Sequence, residues 1–202
     1  MSKFLGPIHY WLYNKIQLQE ELISRIEKVN GEKNWVSGIA QTIDQAYGVV
    51  PREPLEQIID EGNIHGWLQG QITVSERRFA RLVTEILQED PSRLDVLKDL
   101  AFNYGKEKAL PADTNAVGAF QAMNDEFLDG MPCDMVNQPL SKEPDHVEWV
   151  RRRDIHASYW DDVNGDVNAF HELRKKMFEG MLEGTNLKFE ETAEGQFQIN
   201  QK

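Results

Sequence analysis

Gly6-Pro-Ile-His-Tyr-Trp-Leu12 and Gly62-Asn-Ile-His-Gly-Trp-Leu68 are two copies of one pattern, 56 residues apart. Continuing the alignment pairs Ile16 with Ile72, Glu20 with Glu76 and Arg25 with Arg81. Eight identities fall in twenty-one positions, where average residue usage supplies about one or two by chance. Two of the eight are His and Trp, both rare residues. The chain therefore contains an internal duplication, which any fold must accommodate.

The unit reads as a helix. Ile8, Trp11, Leu12, Ile16, Ile23 and Ile26 recur at three- and four-residue spacing. Pro7 suits the first turn, where no backbone donor is missed, and Asn63 is an N-cap candidate for the second copy. Gly66 and Gly70 weaken that copy, and Thr73-Val-Ser-Glu76 reads as a capping box able to restart it. A second helical stripe follows each copy: Trp35, Ile39, Ile43 and Tyr47, then Val96, Leu97, Leu100 and Tyr104. Both end in Tyr-Gly, which predicts glycine C-caps at Gly48 and Gly105.

The expected architecture is all-α. A multi-helix array carries the duplication over residues 1–130, with copies at about 6–61 and 62–130. A loop spans 131–143, where two prolines interrupt any periodicity. A helix pair covers 144–184, as about 144–163 and 166–183, broken at Asn164-Gly165-Asp166. Residues 185–202 alternate apolar and polar about Ala193-Glu194-Gly195 and read as a small β-hairpin. The whole is expected to form one compact domain.

Composition narrows the partners. Thirty-four acidic against twenty-two basic residues give a formal charge of −12. Such a chain is repelled by nucleic-acid backbones and anionic membranes, so neither is expected as a partner. Cationic or neutral ligands, metals, a protein partner or a homo-oligomer stay open. One cysteine, Cys133, excludes an internal disulfide. No apolar run reaches membrane-spanning length and no leader is evident at the N-terminus, so the expected location is the cytoplasm.

Three constellations carry possible chemistry. The first is His9 with Glu20, repeated as His65 with Glu76. Eleven residues place each pair on one edge of the helix but about 16 Å apart, so one helix alone cannot use both on one metal. Antiparallel packing of the copies brings His9 to Glu76 and His65 to Glu20; the alternative sets the two histidines face to face. A metal ion held by His9, His65, Glu20 and Glu76 is the functional reading. The plain packing reading has boundary histidines donating to carboxylates, with Trp11 and Trp67 as core anchors.

The second is Glu148-Trp-Val-Arg-Arg-Arg-Asp-Ile-His-Ala-Ser-Tyr-Trp160. On a helix, Trp149, Arg153, His156 and Trp160 share one arc. Read as a pocket wall, Arg153 grips a carboxylate or phosphate. Trp149 and Trp160, together with Trp11 and Trp67, contact a flat ligand. His156 serves as acid or base. The plainer reading is an arginine–carboxylate pair under tryptophan cover, with Asp134 one candidate acid. The third is Cys133, a loop thiol and candidate nucleophile. His146 and His171 read as surface or satisfied histidines. No phosphate-loop, zinc-protease or serine-hydrolase motif occurs.

The function expected from these residues is ligand or cofactor binding. The pocket would lie between the duplicated helices and the 144–163 helix, with the cofactor unspecified and a metal ion one candidate. The alternative is a non-catalytic acidic scaffold for protein interaction.

Overall fold

The computed structural model describes residues 5–202. Residues 1–4, the start of the segment read for a leader, lie outside that description. Among the described residues eight helices are joined by a four-stranded antiparallel sheet, 58% helix and 13% strand. The fold is mixed α and β, which corrects the all-α expectation.

Two long helices carry the duplication, α1 (Pro7–Lys33) and α4 (Ile64–Glu89). Gly6 N-caps α1 and Asn34, in the left-handed region at φ 51°, ends it. Asn63 caps α4 by accepting from the Gly66 N–H at 3.2 Å. A methyl group on Gly66 would overlap that cap, so this glycine serves the helix start. α4 runs unbroken through Thr73–Glu76, with no restart there.

The two copies pack parallel and in register. His9 meets His65, Gln19 meets Ser75, and Arg78 reaches Glu20. The helices that follow each copy, α2 (Ile39–Tyr47) and α5 (Arg93–Glu107), cross over: α2 packs on α4 and α5 on α1. The short α3 (Leu55–Ile58) lies between the copies in sequence. Leu12, Ile16, Leu68 and Ile72 fill one core at the helix starts, while Ile23, Ile26, Phe79 and Val83 enter a larger one.

Gly48, at φ 83°, is the C-cap of α2. Gly105 is not a cap. It sits inside α5 against α8 (Val167–Met181), and a Cβ there would run into the Met177 carbonyl oxygen. Gly180 of α8 does the same opposite the Phe102 carbonyl. The two glycines let these backbones approach closely.

The sheet order is β1-β2-β4-β3, with β1 at Asn137–Glu143, β2 at His146–Arg151, β3 at Leu187–Ala193 and β4 at Gln196–Gln201. β1 occupies most of the expected loop, and β2 the start of the expected 144–163 helix. The predicted hairpin is thus half of a larger sheet. In β2 the buried residues are Val147 and Trp149, two apart, the period of a strand. Pro144 and Asp145 form the two-residue turn between Glu143 and His146. The inner face stacks Trp149, Phe189 and Phe197, with ring centroids 5.5–5.9 Å apart. It packs beneath α6 (Ala116–Glu126) and α8.

Only α7 (Ala157–Asp161) remains of the predicted arc's helix. The side-chain oxygen Oδ1 of Asp154 accepts from the N–H groups of His156 (2.9 Å) and Ala157 (3.2 Å), turning the chain out of β2. Trp149, Arg153, His156 and Trp160 therefore share no helical face.

Candidate functional site

The sequence-predicted residues separate into four places. His9 and His65 meet at the starts of the duplicated helices, Nε2 to Nε2, 3.3 Å apart. The face-to-face alternative is the one realised, because parallel packing aligns like with like. The Gly6 N–H donates to His9 Nδ1 at 2.9 Å, so neutral His9 holds its proton on Nε2 and donates to His65. An imidazole ligating a metal through Nε2 keeps its proton on Nδ1 instead. That lone pair on His9 is already committed. Among the described residues no group of three or more His, Cys, Asp or Glu is placed to hold a metal ion.

Glu20 and Glu76 lie further along the pair of helices. Glu20 faces Arg78, whose guanidinium also contacts Glu27, Asp44 and the Gly48 carbonyl. Burial raises the Glu20 carboxyl above its ordinary value despite Arg78. Glu76 instead receives Gln19 Nε2 at 3.1 Å and His156 Nδ1 at 3.0 Å. The parallel register separates the four proposed ligands into unrelated pairings.

His156 is 1% exposed. Its Nε2 is 3.5 Å from Asp129 Oδ1 and 3.2 Å from Arg174 Nη1. Two readings of these distances compete: a neutral ring accepting from Arg174, or a charged ring donating to Asp129. Burial lowers the imidazole pKa, but Glu76 and Asp129 outweigh burial and Arg174 together, raising it to about 9. We therefore read His156 as an imidazolium near neutral pH. Arg174 forks onto Asp129 at 2.7 and 3.0 Å, and Asn137 donates to the same carboxylate at 2.8 Å. Burial acts to raise the Asp129 carboxyl, yet Arg174 and His156 hold it well below the usual carboxylate range.

This network opens on a cleft between the inner sheet face and α8. The cleft has a volume of about 60 Å³. Trp149, Phe189 and Phe197 floor it, and Arg151, His171, Arg174 and Lys175 stand on its walls. His171 Nε2 is 2.6 Å from Asp154 Oδ2, and its Nδ1 is 2.9 Å from Arg151 Nη1. One proton on Nε2 satisfies both contacts, Arg151 donating to Nδ1. Burial is the main cause that lowers the His171 pKa, in keeping with this neutral form. Both nitrogens of His156 and of His171 are engaged, so neither ring offers a free base to the cleft. Glu191 also lines the wall, where it accepts from the Gly195 N–H at 3.3 Å.

The other candidates lie elsewhere. Arg153 is exposed and pairs with Asp134 at 2.5 Å, the partner named as one possibility in the sequence. Cys133 is an exposed free thiol in a short turn, Pro132–Asp134. Trp160 is buried against Phe79 and Phe170, away from the cleft, and its Nε1 has no hydrogen-bond partner among the described residues. Trp11 donates to Asp125 at 2.9 Å, and Trp67 packs on Tyr13. Of the proposed contacts only Trp149 and His156 line the cleft.

Sequence reasoning missed Arg174, Asp129, Arg151 and Lys175, and set His171 aside. Arg174 had a legible signal. It stands four residues from both Phe170 and Phe178, inside the apolar stripe of α8. A charge there is seldom tolerated without a partner.

No helix among the described residues is long and apolar enough to cross a membrane. Comparisons of the chain with protein-family models, with curated proteins and with solved structures find no match.

Proposed function

We propose that the protein binds a small anionic molecule, a carboxylate or phosphate with an apolar body, in the cleft between the sheet and α8. One observation carries this reading. In a chain of net charge −12, Arg151 and Lys175 both line the cleft with no carboxylate within 4.0 Å among the described residues. Arg174 and Arg78, by contrast, are each matched by carboxylates. The volume suits an anionic head group, and the aromatic floor accepts the apolar remainder.

The fully engaged histidines favour binding over proton transfer. The exposed, unpaired Cys133 suits a reducing compartment such as the cytoplasm. Isothermal titration with benzoate, phenyl phosphate and inorganic phosphate tests the proposal. Arg151→Gln and Lys175→Gln are each expected to weaken binding about ten-fold, the scale of one charge-assisted hydrogen bond. Arg153→Gln, outside the cleft, is expected to leave binding unchanged. No binding by any of the three anions, or equal affinity in all variants, overturns the reading.

A further inference from the structure

We infer that Lys15 is a carbonyl-binding amine, forming an imine with a small aldehyde or ketone in the cavity between α1 and the 130–139 segment. Lys15 sits on the buried face of α1, four residues after Trp11, and is 4% exposed. Its Nζ lies 3.7 Å from the centroid of the Trp11 ring. Among the described residues no carboxylate oxygen comes within 4.0 Å of it. The cavity it lines has a volume of about 300 Å³.

The charged groups around the amine are already committed. Asp129 is matched by Arg174 and Asn137, and Asp125 accepts from Trp11 and Gln121. Arg174 adds a like charge nearby. A lysine enclosed without a carboxylate partner costs stability, and the chemistry that such an enclosure supports is nucleophilic. Burial brings the amine down to about 8, so a substantial share is free base near neutral pH, unlike an ordinary lysine.

The step needs no external oxidant or reductant. The amine lone pair adds to the carbonyl carbon, the two amine protons move in turn from nitrogen to the former carbonyl oxygen, and that oxygen leaves as water as the C=N bond forms. The polar side chains lining the cavity include the amides Asn124, Asn137 and Gln138. They suit a polar but uncharged body on the carbonyl compound. The cavity shares Asp129 and Asn137 with the cleft but neither Arg151 nor Lys175, so this inference does not depend on anion binding there.

Incubating the intact chain with propionaldehyde and cyanoborohydride at pH 7.5 tests it, because hydride from the reagent traps any imine as a stable secondary amine. Peptide mass mapping is expected to show Lys15 labelled about ten-fold or more faster than the exposed Lys28 and Lys188, from its larger free-base fraction. Its labelling rate is expected to level off above about pH 8, while theirs keep climbing. Lys15→Arg retains the charge and is expected to lose the fast phase with an unchanged circular dichroism spectrum. Should that variant fail to fold, the comparison of lysines within the wild-type chain decides alone. Labelling of Lys15 no faster than Lys28 overturns the inference.

Discussion

Glu76 Oε2 and His156 Nδ1 lie 3.0 Å apart with both side chains 2% exposed, joining the second copy of the duplicated helix to the segment that leaves the sheet. Eighty residues separate them in sequence. The pair has a pH signature. His156 titrates at 6.5 in the ordinary state and at about 9 in the fold. Between those values the folded chain holds a proton that the unfolded chain has lost. The stabilisation is therefore complete below about pH 6.5 and disappears as pH rises toward 9. The stability difference between wild type and His156→Gln is expected to shrink over that window by something on the order of 2–3 kcal/mol. Urea denaturation at half-unit pH steps measures it, and a flat difference shows a neutral ring. Lys15, lowered to about 8 by burial, acts with the opposite sign above that pH, but it is common to both proteins and cancels.

Two arginines separate buried from exposed ion pairing. Arg78 is sealed against Glu20, with Glu27 and Asp44 also in contact. Arg78→Ala leaves the buried Glu20 carboxylate unpaired and is expected to cost about 3–5 kcal/mol. Arg25 forks onto Glu107 at 2.7 Å, but that carboxylate is 56% exposed. Arg25→Ala is expected to cost about 1 kcal/mol or less. Chemical denaturation of both variants checks the ranking, and equal losses contradict it.

Gly105 and Gly31 predict opposite signs for the same substitution. Gly105→Ala drives a methyl group into the Met177 carbonyl and is expected to destabilise by about 1–3 kcal/mol. Gly31, near the end of α1, faces open space. Gly31→Ala is expected to stabilise by about 0.5–1 kcal/mol, through lower backbone entropy in the unfolded chain. Thermal melts distinguish the two directly.

His9 and His65 are expected to be energetically coupled through their 3.3 Å contact. A double-mutant cycle with alanine at each position is expected to yield about 0.5–1.5 kcal/mol, one hydrogen bond's worth. His9→Ala is the costlier single change, because it also removes the acceptor for the Gly6 N–H. A coupling indistinguishable from zero dissociates the two rings in solution.

The duplication, the two long helices and the Gly48 cap were legible in the sequence because each is local: apolar residues at helical spacing and a glycine past a helix end. The His146–Arg151 strand was not. Trp149, Arg153, His156 and Trp160, spaced four, three and four apart, fit a helical arc, and what selects the strand is pairing with Asn137–Glu143 and Gln196–Gln201, remote in the chain. Gly105 was equally ambiguous, because a cap and a close helix crossing require the same missing side chain.

By itself the sequence determined that two like helices exist and that the chain is acidic. Only the tertiary structure decided that the copies run parallel, so that His9 faces His65 and not Glu76. It alone brought Glu76, Asp129, His156 and Arg174 together beside an aromatic sheet. The physical reason is that helical periodicity is written within a few residues, whereas the direction in which two helices pack and the carboxylate that meets a buried cation depend on side chains tens of residues away.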